Sequence, residues 1–173
     1  QKQKYSYLDS LYASPNHVEI YALAIMPNHY HFLVKQTKDL GITNFIRLIQ
    51  NSYAKYINTK LKRVGSLFQS PFKAVRIETE EQFLHVSRYI HLDPLTSYVI
   101  RNSKDLSDYP WNSYKDYVSN TARIFINIEP IKALIKSKEG FVKFTLDQLE
   151  YQRELENIKH LTFDNDSYSD VSI

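Results

Sequence analysis

The chain has 173 residues, no cysteine and a formal net charge of +3. Its length suits one domain, or one domain with an extension, and is enough to bury a real core. Disulfides and thiolate metal sites are excluded; no stretch reaches the roughly 18 apolar residues that a helix needs to span a bilayer, and no charged–apolar–small pattern appears at the N-terminus.

In chain order, residues 3–13 (QKYSYLDSLYA) read as a short helix ended by Ser14, Pro15 and Asn16. Residues 17–25 (HVEIYALAI) are β-rich and apolar on both faces, as in a central strand. Pro27 and Asn28 punctuate, and residues 29–36 (HYHFLVKQ) form a second strand. Residues 42–62 place Phe45, Leu48, Ile49, Tyr53, Tyr56 and Ile57 at helical spacing. A loop over 64–71 leads to a strand over 72–77 (FKAVRI). Thr79-Glu80-Glu81-Gln82 is a capping-box pattern. The helix it starts runs to Asp93-Pro94, where the proline either kinks or stops it. Residues 109–118 (YPWNSYKDYV) are turn-rich, 127–136 and 139–160 are helical, and the last dozen residues are polar and acidic. Strands interspersed with helices on short connections give an α+β or α/β class.

The charge is unevenly spread. Residues 35–76 hold nine Lys/Arg against one acid, Asp39, a local excess of +8, whereas residues 139–173 hold three bases against eight acids, −5. Such a basic segment is either a solvated surface or the footprint of a polyanion. Fourteen tyrosines add rings on which nucleic-acid bases can stack.

The sharpest local feature is His29-Tyr30-His31. Alternate residues of a strand share a face, so the two imidazoles project together, roughly 7 Å apart at the backbone, and can converge on one divalent ion. The bland alternative is a pair of exposed histidines on a half-solvated strand. By the same alternation Tyr30, Phe32 and Val34 point into the core. The helix after Thr79 offers His85, Tyr89 and Asp93 in a line on one face: a carboxylate to complete a metal shell, and a phenol one turn away.

Together these segments resemble a known family. MPNHYHFLV is similar to the His–hydrophobic–His (HUH) motif of the single-tyrosine, insertion-sequence-200-like transposases. GSLFQSPFK (65–73), SRYIHLDP (87–94) and YPWNSY (109–114) follow in the order seen in the REP-associated tyrosine transposase branch. The likeness covers roughly residues 17–118. It implies an α+β fold with an antiparallel sheet, a ferredoxin-like or RRM-like HUH nuclease core packed by helices. It also implies a catalytic core over 1–120 and a helical C-terminal extension over 121–173. The strand that the family places ahead of the first helix is absent from this sequence, which begins with Gln rather than Met.

Carried over residue by residue, the resemblance makes His29 and His31 metal ligands and Tyr89 the nucleophile. Asp93 stands where the family has Asn or Gln, and is the third ligand. An aspartate there suits a hard cation, Mg²⁺ or Mn²⁺. The activity implied is cleavage and rejoining of single-stranded DNA at hairpins through a covalent 5′-phosphotyrosine, without a nucleotide cofactor. Lys55, Lys60, Lys62, Arg63, Lys73 and Arg76 are candidates for phosphate contacts. His91, about 200° from Tyr89 around the helix, faces away from the site. A cytoplasmic, nucleoid-associated protein of a bacterial or archaeal cell is implied, either monomeric or a homodimer. The alternative is a domesticated module that binds DNA hairpins without cutting them.

Overall fold

A computed structural model describes residues 16–69, 71–119 and 121–154. The helix expected over 3–13 and the acidic tail lie outside them. The described elements are strands β1 (Val18–Ile25) and β2 (Tyr30–Gln36), helices α1 (Gly41–Lys60) and α2 (Glu80–Thr96), a 3-10 helix (Ser103–Asp108), and helices α3 (Tyr114–Val118), α4 (Glu129–Leu134) and α5 (Lys138–Leu146). β1 and β2 form a two-stranded antiparallel sheet, so the α+β class expected from the sequence holds. The described residues divide into two compact units, 16–19 with 34–76, and 20–33 with 77–154.

In the second unit, β1 behaves as the central strand that its apolar pattern implies, although its second edge is met by loop rather than by a strand. Ile25 N donates to Trp111 O at 2.8 Å, Ser113 N to Leu23 O at 3.0 Å, and Asn127 N to Ile20 O at 2.8 Å. Leu23 N donates to Ser113 Oγ at 2.9 Å. For the buried Leu23 the loss of both partners would be costly. The core gathers Tyr21, Leu23, Leu33, Ile90, Leu92, Leu95, Leu106, Tyr114, Tyr117, Ile131 and Phe141.

Helix α2 starts as the sequence predicts. Gln82 N donates to Thr79 Oγ1 at 3.1 Å, and Thr79 N to Gln82 Oε1 at 3.4 Å. Glu80 and Glu81 in the first turn oppose the positive end of the helix dipole. Pro94 neither stops the helix nor leaves it unsatisfied. It has no N–H, so Ile90 O loses its helical donor. Asn112 Nδ2 substitutes, donating to Ile90 O at 3.3 Å and to His91 O at 3.1 Å. The helix therefore continues to Thr96, and Asp93 O accepts from Ser97 N at 3.0 Å. Asn112 is in turn held by its own segment. Tyr114 N donates to Asn112 Oδ1 at 2.7 Å. The Arg123 guanidinium grips the Asp116 carboxylate at 2.6 Å and donates to Asn112 O at 2.8 Å.

In the first unit, α1 follows a close approach that requires glycine. A Cβ on Gly41 would collide with His17 O. Within α1 only Gly41 and Ile46 are buried; Leu48, Tyr53 and Tyr56 are exposed.

Two expectations are corrected. Residues 72–77 form no strand: a β-like alternation needs a partner edge, and among the described residues none takes them up. Lys73, Ala74 and Arg76 are exposed and Val75 is 86% exposed. The helix expected over 139–160 is interrupted at 147–148. The turn there lets both Leu146 and Leu149 pack on the core. Among the described residues, no helix is long and apolar enough to cross a membrane.

Candidate metal centre and active site

All four residues of the proposed chemistry belong to the second unit. β2 and the loop before it supply the imidazoles; α2 supplies the phenol and the carboxylate. His29 Nε2 lies 3.3 Å and His31 Nε2 3.8 Å from the same oxygen, Asp93 Oδ2. One donor atom from each residue falls within a common span of 4.8 Å. The two imidazole rings meet edge to face at 5.0 Å, and the His31 ring meets the Tyr89 ring at 5.4 Å in the same manner. The Asp93 side chain is only 8% exposed, against 42% for His29, so a carboxylate at the floor of the cluster faces imidazoles that reach solvent. Two nitrogens and one oxygen converging on one point, with one side open, form a donor set that suits a divalent cation.

Both sides of β2 meet the core, where the alternation predicts one: Phe32 packs against it as expected, and so does the histidine side, through Leu33. Leu33 continues the row of His29 and His31 and is buried, whereas Phe32 on the opposite side is only partly buried. The reason is α2, whose Tyr89 and Asp93 lie against the histidine row. The histidine-bearing face of the strand thus merges into the core face two residues further on.

Around these four stand residues that the sequence alone did not single out. Pro27 and Asn28 form a two-residue loop, closed by Met26 N donating to His29 O at 2.8 Å. Asn28 Oδ1 lies 2.7 Å from His29 Nδ1. The Tyr109 hydroxyl donates to Ile25 O at 2.8 Å, pinning β1 just before that loop. Burial first, and the nearby Asp93 charge second, hold the Tyr109 phenol above its ordinary pKa. Arg88, next to Tyr89, is buried with its guanidinium 3.7 Å from the Phe144 ring centre. Burial lowers its pKa, and Asp147 opposes that shift. The cue for Asn28 was present in the motif itself; those for Tyr109 and Arg88 depend on tertiary neighbours.

The other two α2 histidines stand apart from the cluster. His85 is exposed, 3.7 Å from Glu81. His91 is fully buried, with Nε2 2.8 Å from Ser113 Oγ and Nδ1 3.4 Å from Ser87 Oγ. Tyr114, Tyr117 and Phe141 surround its ring. Burial pushes its pKa down to about 3, so it is a neutral packing residue on the far side of the helix, as its angle from Tyr89 implied.

The six basic candidates all lie in the first unit and are exposed. Lys55 and Lys60 share one α1 face with Ser52, Tyr56 and Thr59, which line a shallow concavity. Lys60 Nζ sits 5.4 Å from the Tyr56 ring centre. Lys62, Arg63, Lys73 and Arg76 are on the segment after α1, where Arg63 donates to Ser66 O at 3.3 Å.

An α+β protein with two imidazoles and a buried carboxylate converging beside a phenol belongs among candidate metal-dependent enzymes. Comparison with protein families narrows this. The family described as transposase, IS200 like, matches residues 2–93, more than half of the chain and all four residues of the cluster; the chain belongs to that family. DNA is accordingly its partner. Neither a curated protein nor a solved structure matches the chain.

Proposed function

We propose that the protein is a metal-dependent transposase that cleaves and rejoins single-stranded DNA at hairpins, using Tyr89 as nucleophile. The single observation that carries this reading is that α2 brings Tyr89 against the His31 ring and Asp93, one helical turn on, against both imidazoles of the His29–His31 pair. We assign His29, His31 and Asp93 as ligands of Mg²⁺ or Mn²⁺. Such an ion, when bound, supplies Lewis acidity to a non-bridging oxygen of the scissile phosphate. The Tyr89 oxygen attacks phosphorus, the bond to the 3′ oxygen breaks, and a 5′-phosphotyrosine forms. The phenol gives up one proton and the departing 3′-hydroxyl takes one. The ester retains the bond energy, so a second 3′-hydroxyl can reseal the strand without a nucleotide cofactor.

The REP-associated branch is the closer assignment. It rests on GSLFQSPFK, SRYIHLDP and YPWNSY. The third of these includes Asn112, whose bonds to Ile90 O and His91 O give that segment a physical link to the helix bearing Tyr89. We place the catalytic core in residues 1–120 and a helical extension in 121–173.

The test is incubation of the full chain with labelled hairpin-bearing single strands and Mn²⁺, followed by denaturing electrophoresis. A covalent adduct is expected with the wild type and none with Tyr89→Phe or after chelation of the metal. Binding without an adduct in the wild type would instead identify a DNA-hairpin-binding module that no longer cuts. Cleavage that persists in Tyr89→Phe would identify a hydrolase using water. For the DNA interface, replacing Lys55 or Lys60 by Ala is expected to weaken binding alike across sequences. Each lysine that pairs with a phosphate should, when replaced, lower the slope of log K against log salt by about 1; unchanged slopes would remove these lysines from the interface.

A further inference from the structure

We infer that Asn28 is a positioning residue for the metal centre, fixing the tautomer and the orientation of the His29 ring so that Nε2 is the ligating atom. This deepens the metal reading above and rests on it. A neutral imidazole has one N–H and one lone pair, and which nitrogen ligates is decided by the partner of the other. Asn28 Oδ1 only accepts, and its 2.7 Å approach to His29 Nδ1, shorter than the 3.3 Å from Nε2 to the competing acceptor Asp93 Oδ2, favours the proton on Nδ1. The lone pair is then on Nε2, the atom 3.3 Å from Asp93 Oδ2. An acceptor behind a ligating imidazole also makes the ring a better donor to the metal.

The loop gives Asn28 little freedom. Proline presets the backbone angle before it, Met26 N to His29 O closes the turn behind it, and Tyr109 clamps Ile25 O beside it. A plain turn role predicts a different bond. Turn-forming asparagines accept from a backbone N–H about two residues on, whereas here the side-chain oxygen is directed at the adjacent imidazole.

Two substitutions separate these roles. Asn28→Gly keeps a turn-compatible backbone and removes the acceptor; Asn28→Asp keeps the acceptor. Nitrogen-15 NMR of the histidine rings in the metal-free protein is expected to find His29 with its proton on Nδ1 in the wild type and in Asn28→Asp, and shifted toward Nε2, which faces Asp93 Oδ2, in Asn28→Gly. Titration with Mn²⁺ alone, followed by electron paramagnetic resonance, is expected to give an affinity about 10- to 100-fold weaker for Asn28→Gly, restored in Asn28→Asp. Thermal unfolding of the metal-free variants should match the wild type. The inference is overturned if His29 carries its proton on Nε2 in the wild type, or if Asn28→Gly leaves the tautomer unchanged. It is also overturned if the wild type binds Mn²⁺ and Asn28→Gly binds it equally well. A wild type that binds no Mn²⁺ but shows the expected tautomers would fail the metal reading and leave the role of Asn28 in setting the ring intact.

Discussion

Helix α2 carries two histidine environments on opposite sides, and they are built by different rules. On the buried side His91 is sealed among Tyr114, Tyr117 and Phe141, with a serine hydroxyl at each nitrogen. On the other side Asp93 and Tyr89 face His29 and His31, whose imidazoles are partly exposed. Polar groups of the first side are matched by the protein and serve packing. Those of the second converge toward a single point and leave one side open to solvent, as a site for a cation and a phosphate requires. Chemistry of the same residue type thus diverges with burial, and substitutions on the two sides should separate stability from activity.

The largest expected effect is that of acid on the buried side. The His91 pKa is about 3 in the fold against an ordinary 6.5. Below about pH 6.5 the unfolded chain therefore takes a proton that the folded one refuses. Stability is full above that pH and falls as the pH drops toward 3, with each unit of pKa depression worth about 1.4 kcal/mol. Urea unfolding between pH 7 and 4.5 should reveal this slope in the wild type and a shallower one in His91→Gln; equal slopes would mean that His91 is not the linked group.

Next is Arg123→Ala. It strips a partner from Asp116, which is 3% exposed, and should cost about 3 kcal/mol, read as a lower urea midpoint. Asn112→Asp follows at about 2 kcal/mol, since a carboxylate cannot donate to Ile90 O and His91 O. An unchanged midpoint in either variant would remove the link between the 109–123 segment and α2. Smallest is Tyr89→Phe, on the open side, where the change should stay within about 1 kcal/mol while activity is lost. A large drop in stability there would mean that the hydroxyl holds the fold.

Much of the open side was readable in the chain because its cues are local. The H-x-H spacing at the start of a strand puts His29 and His31 together, and the four-residue step on a helix puts Tyr89 with Asp93; α2 then brings the two pairs into contact. The buried side was less legible. That Pro94 would be carried within the helix depends on Asn112, some twenty residues on, and nothing local to either residue announces that bond. The FKAVRI segment misled for a related reason. Its alternation satisfies the local pattern of a strand, but a strand is completed by a neighbour, and Val75 is left in solvent. Asn28 was visible within the motif, yet its bond to His29 depends on the closure of a loop that sequence spacing does not specify.

The central claim is that the Tyr89 oxygen forms a bond to DNA beside a cation held by His29, His31 and Asp93. Its most direct test is mass spectrometry of the protein after reaction with a hairpin-bearing single strand and Mn²⁺, followed by nuclease and trypsin. The account expects a nucleotide mass on the tryptic peptide of residues 89–101, localised by fragmentation to Tyr89, and its absence when Asp93 is replaced by Ala. A nucleotide on Tyr109 instead, or strand cleavage with no modified tyrosine at all, would contradict it.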